Sequence, residues 1–116
     1  MKSIVYKFIL GGYMVLILCI SAIPANSIPS LGFQHADKVA HFLEFAILGI
    51  LAVHSFNPKK GYQLFYIIFS GFVFGVFDEW WQSFISDRCT SLFDLLADNV
   101  GMLVGSIVFY KLSTKQ

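Results

Sequence analysis

The chain has 116 residues, 57% of them hydrophobic and 13% charged, whereas soluble domains carry about 45–50% apolar residues, Gly included, and about 25% charged. This composition excludes an ordinary soluble domain and a disordered one, and a net charge of +1 excludes a basic nucleic-acid binder or an acidic tail. A small membrane protein remains, and at roughly 20 residues per spanning helix its length holds four spans with short links, in one domain.

The first apolar run covers about residues 4–23 and is interrupted by Lys7, whose amine can reach the interface from a helix end. Pro24 and Pro29 stop it. Its basic start and Ala25 also fit a cleavable signal peptide, but its length favours a retained span. The second run covers about 37–56 and stops at Asn57-Pro58. The third covers 61–82, with no charge before Asp78-Glu79, and the fourth covers 91–110. No alternation of period two is present, which argues against a β-barrel. The sequence therefore predicts an all-α, integral membrane four-helix bundle.

Basic residues set the direction of insertion, because Lys and Arg in short loops stay on the cytoplasmic side. Lys2, Lys7, Lys59, Lys60, Lys111 and Lys115 all fall on one side of the four spans. Both termini and the Lys59-Lys60 turn are thus expected in the cytoplasm. The opposite side holds Lys38, Arg88 and all seven acids: Asp37, Glu44, Asp78, Glu79, Asp87, Asp94 and Asp98.

Ionisable residues inside spans are costly, so they usually face the bundle interior and mark function. Asp37, His41, Glu44 and Leu48 are spaced 4, 3, 4 and share one stripe of the second helix. Gly71, Gly75, Asp78 and Gln82 repeat this spacing on the third helix, as do Asp94, Asp98, Gly101 and Gly105 on the fourth. Small residues four apart let helices approach closely in lipid. If the third and fourth helices pack through their glycine faces, Asp78 and Gln82 meet Asp94 and Asp98, with Asp87 and Arg88 above them. The first helix, with no ionisable residue in its outer half, reads as scaffold.

Structural roles are open to the same residues. Asp37 can cap the second helix, and Ser91-x-x-Asp94 matches a capping box. Glu79 and Asp87 read individually as solvated interface residues. Lys38 and Arg88 can anchor at the interface or pair with the acids. Trp80 and Trp81 fit an interfacial aromatic belt. His35 and His54 lie off the stripes and receive no role. Cys19 reads as a buried apolar residue; a bridge to Cys89 is the one pairing two cysteines allow.

Two blocks resemble the VanZ-like family of small bacterial membrane proteins: DKVAHFLEFAILG, Asp37 to Gly49, and FDEWWQSFISDRCTSLFDLLADNVGMLVG, Phe77 to Gly105. The resemblance implicates Asp37, Lys38, His41, Glu44, Asp78, Glu79, Gln82, Arg88, Asp94 and Asp98. The chain departs from the pattern at Asp98, where the family often carries Asn, and around Arg88, flanked here by Asp87 and Cys89. The resemblance implies action at the envelope on cell-wall or lipid-linked material. Through the founding member it also implies an effect on teicoplanin susceptibility, but no particular reaction.

Three readings of the cluster follow. In an enzyme, His41, Glu44, Asp78, Asp94 and Asp98 would transfer protons, while Asp37, Lys38, Glu79, Gln82 and Arg88 bind an amphiphilic substrate such as a membrane lipid or lipid-linked precursor. A divalent metal is conceivable on His41, Glu44, Asp78, Asp94 and Asp98, although His41-x-x-Glu44 reverses the Glu-x-x-His order of di-iron bundles. In a non-catalytic binder the same pocket recognises the precursor without proton transfer. In a structural protein the polar stripes lock the bundle, alone or in an oligomer. Unless the protein oligomerises, four helices are too few for two transporter repeats around a midplane site.

Overall fold

The computed structural model of the chain describes residues 2–22, 36–84 and 92–114. Those residues form four helices: α1 (Lys2–Ser21), α2 (Ala36–Phe56), α3 (Gly61–Gln82) and α4 (Leu92–Thr114). Each is long and apolar enough to cross a membrane, running about 30–35 Å at 1.5 Å per residue. The bundle is 44 Å long, close to the roughly 40–45 Å of a bilayer with its headgroups. Its outer surface is apolar, with Phe8, Val15, Phe65, Phe69, Phe93 and Leu112 all exposed, the surface expected where lipid rather than water is the solvent.

The helix boundaries follow local chemistry. Asn57 adopts φ 48°, the one positive φ of a non-glycine among the described residues. Asn tolerates this left-handed conformation and ends α2 with its N–H donated to the Val53 carbonyl at 2.8 Å. Pro58 follows and cannot continue the helix. At the start of α3 the Gln63 side chain accepts from the backbone N–H groups of Lys59 (2.7 Å) and Lys60 (3.1 Å), satisfying donors that the turn leaves open. Helix α4 runs four residues beyond the expected end at 110. Lys111 sits in its last turn, where a cation complements the helix dipole and its amine can reach water.

Helices α2 and α4 form the most intimate pair. A Cβ at Gly101 would meet the carbonyl oxygen of Phe42, and one at Gly105 that of Ala46. Across the same interface a Cβ at Gly49 would lie 2.6 Å from Ser106 Oγ. The expected α3–α4 glycine contact is therefore divided. Gly71 and Gly75 of α3 do face α4, against Met102 and against Leu95, Asp98 and Asn99, but the α4 glycines serve α2. Phe45, Leu48, Met102, Leu10 and Ile17 fill the centre, and Phe45 meets Phe74 with ring centroids 5.9 Å apart.

The two ends of the bundle differ in charge. Lys7 Nζ lies 5.3 Å from the centre of the Phe56 ring, and the Tyr110 hydroxyl donates to the Lys59 carbonyl at 3.5 Å. Lys7, Lys59, Lys60 and the last turn of α4 thus gather at one end, as the sequence requires of an up-and-down bundle.

Candidate functional site

At the other end three helices turn polar side chains inward. The 4, 3, 4 stripes of α3 and α4 are buried along their whole length, including Asp78, Gln82, Asp94 and Asp98. Asp78 and Asp98 are 0% exposed, Gln82 2%, Asp94 5% and His41 6%. His41 stands between the two α4 carboxylates: its Nδ1 is 2.8 Å from Asp98 Oδ1, with the ring N–H donating to the carboxylate, and its Nε2 is 3.9 Å from Asp94 Oδ2. The spacing of Asp94 and Asp98, one helical turn, lets them flank one imidazole.

Helix α3 brings Asp78 and Glu79 to the same place. Both interact electrostatically with Asp98, and Glu79 also with Asp94 and His41. Glu44, half-buried on α2, adds to the negative field at His41. Like charges this close inside a bundle repel strongly. With one imidazole among five carboxyl groups, the arrangement needs protons or cationic groups delivered to it. Glu79 Oε1, Gln82 Nε2 and Asp98 Oδ2 are buried atoms without a hydrogen-bond partner among the described residues. Buried polar groups rarely stay unmet in native proteins, so such atoms mark places where water, an ion, a ligand group or a side chain outside the described residues is received.

Glu79 departs from its reading as a solvated interface residue. It is half-buried and joins the cluster, because its α3 position lies beside the Asp78 stripe rather than on the opposite face. It also changes the potential ligand set. Among the described residues, His41, Glu79 and Asp98 each offer one ligand atom within 4.8 Å of the others; of the set expected from sequence, this group keeps His41 and Asp98, lacks Glu44, Asp78 and Asp94, and adds Glu79. An imidazole nitrogen with carboxylate oxygens suits a first-row divalent cation.

Helix α1 contributes more than scaffold. The Ser21 hydroxyl, 2% exposed, donates to Asp78 Oδ1 at 2.6 Å. The Trp81 indole N–H donates to the Leu18 carbonyl at 3.0 Å, so this belt tryptophan also ties α3 to the last turn of α1. Tyr13 donates from α1 to the Glu44 backbone carbonyl at 2.8 Å. A lone serine in an apolar span gives no periodic signal; its nearness to the span's C-terminal end is the one available clue. His54, left without a role, packs edge-on against Tyr6 at 4.0 Å and near Phe109 at 5.4 Å, far from the acids. Cys19 is exposed on the outer surface of α1 rather than buried.

The backbone of Asp37 lies inside α2, one residue past its first position, rather than before it as a cap. The side chains of Asp37 and Lys38 lie outside the described residues, as do His35, Asp87, Arg88, Cys89 and Ser91. Asp94 occupies the first turn of α4, where a capping-box acid belongs.

No curated protein and no solved structure matches the chain. The model of the VanZ/LLP1 family matches residues 5–113, a stretch that covers all four spans to within a few residues of their ends and every residue of the buried cluster. This membrane-spanning four-helix chain belongs to the VanZ/LLP1 family.

Proposed function

We propose that the buried cluster receives the polar part of an amphiphilic, lipid-linked envelope molecule and transfers protons on it. One observation carries this reading. His41 is held between Asp94 and Asp98 while neighbouring buried atoms, Glu79 Oε1, Gln82 Nε2 and Asp98 Oδ2, have no hydrogen-bond partner among the described residues. A network built only for stability would satisfy its members, since a partly satisfied buried network is worse than an apolar core. An imidazole flanked by carboxylates is equipped to take up and release protons. On this reading Arg88 and Lys38, from the sequence beside the cluster, supply the positive charge that holds a substrate phosphate or carboxylate. The protein would sit in the bacterial plasma membrane with both termini in the cytoplasm and the acidic end outward, and teicoplanin susceptibility is one phenotype it would alter.

A second reading, a helix-locking network, is favoured by the two interhelical bonds Ser21–Asp78 and His41–Asp98. Purified protein incubated with lipid-linked envelope precursors separates the two. Under the first, a covalently changed product forms and is lost in both His41→Ala and Asp78→Asn. If the protein binds precursor saturably without changing it, it is a binder. If precursor is neither bound nor changed and these variants only melt earlier in detergent, the cluster is structural.

A further inference from the structure

The basic end of the bundle carries a feature independent of the acidic cluster. An apolar cavity of about 360 Å³ opens between α1 and α3, within the roughly 300–1,000 Å³ range of ligand sites. Leu48, Ala52 and Phe56 line it along α2, about 12 Å at 1.5 Å per residue, and Gly71 and Met102 are also in its wall. A second cavity of about 350 Å³ adjoins it through the shared residues Phe56, Tyr66 and Ile67, and continues to Asn57, Pro58 and Lys59 in the α2–α3 turn. Together they make a path from the middle of the bundle to its basic end.

That end is cationic. Lys59 lines the outer cavity, Lys7 Nζ lies beside Phe56 at its rim, and Lys60 is exposed next to it. All seven Asp and Glu side chains belong to the halves of α2, α3 and α4 away from this end and to the link between the last two, so no acidic side chain among the described residues is at hand to neutralise these lysines. An apolar channel with a positive mouth is complementary to an acyl chain bearing an anionic headgroup. A zwitterionic headgroup would bring an ammonium to the same lysines, with no acidic side chain among the described residues at that end to receive it. The surrounding bilayer supplies such a ligand directly, and basic pockets between spanning helices are sites where anionic headgroups bind.

We propose that this groove binds an anionic glycerophospholipid from the leaflet at the basic end, with one acyl chain along Leu48 to Phe56 and the phosphate held by Lys7, Lys59 and Lys60. The site does not depend on what the acidic cluster does.

Native mass spectrometry of the full chain, released from detergent with equimolar phosphatidylglycerol and phosphatidylcholine of identical acyl chains, tests it. The expected result is selective retention of phosphatidylglycerol, by about five-fold for each lysine engaged. The preference should shrink with added salt and vanish in the triple variant K7Q/K59Q/K60Q, whose three positions are exposed. Ser70 lines the inner cavity from an exposed position, so Ser70→Phe should fill the groove and lose both lipids. Glycerol phosphate, with a headgroup but no acyl chain, should fail to displace the bound lipid. Equal retention of the two lipids by the unaltered protein, or a preference unchanged in the triple lysine variant, would overturn the proposal. If Ser70→Phe proves unfolded by circular dichroism, the lysine variant decides alone.

Discussion

Asp98 both accepts a hydrogen bond and carries a charge within the cluster, and its surroundings separate the two roles. Its Oδ1 accepts from His41 at 2.8 Å, a bond an amide oxygen can also accept. Asp98→Asn should therefore keep the α2–α4 tie and melt close to the unaltered protein in detergent. Asp98→Ala should leave a buried imidazole donor unmet and lower stability by about 1–3 kcal/mol. If the Asn variant is stable but loses turnover of a lipid-linked substrate, the charge is functional; if it melts as early as the Ala variant, the charge serves stability. At this scale the sequence was legible where residues repeat: the stripes placed His41, Asp78, Gln82, Asp94 and Asp98 inside, as observed. It was not legible for Ser21, because a hydroxyl has no periodic signature and its partner Asp78 is 57 residues away. Glu79 was obscured in the same way, since a position beside a stripe is buried or solvated according to how its helix is rotated against its neighbours.

Among the elements, the glycines sort by what they touch. Gly101 and Gly105 lie against α2 backbone, which cannot move aside as a side chain can, whereas a Cβ at Gly11 or Gly12 meets nothing within 4 Å. Gly105→Ala should push α4 off Ala46 and destabilise the bundle by about 1–3 kcal/mol, the cost of overpacking a filled interior. Gly12→Ala should instead be neutral or stabilising by about 0.5–1 kcal/mol, because it removes the conformational freedom of a helical glycine. Thermal unfolding of the two variants in the same detergent checks both signs. The glycine spacing gave close helix approach from sequence alone, but it did not assign partners. Two stripes of equal geometry compete for neighbouring helices: the α4 glycines meet the backbone of Phe42 and Ala46 on α2, while Gly71 of α3 receives the Met102 side chain.

Over the whole molecule, charge is polarised from end to end. Lys7, Lys59 and Lys60 cluster at one end and His41, Asp78, Asp94 and Asp98 at the other, a separation already visible in the order of residues along four spans. Tags at both termini should be reached by membrane-impermeant reagents only after the membrane is broken, while a cysteine placed at Ser83, at the acidic end of α3, in a chain with Cys19 and Cys89 replaced by Ser, should react in intact cells. Labelling of the terminal tags in intact cells would reverse the insertion.

The sequence by itself determined the number of helices, their ends to within a few residues, the family and the charged polarity, because these depend on local hydropathy, breakers and spacing along one chain. Only the tertiary structure decided which helix the α4 glycines meet, that α1 gives Ser21 to the cluster, that Glu79 turns inward, and that an apolar groove leads to the basic end. These depend on how each helix is rotated about its axis against its neighbours, and in lipid small differences in packing set that rotation.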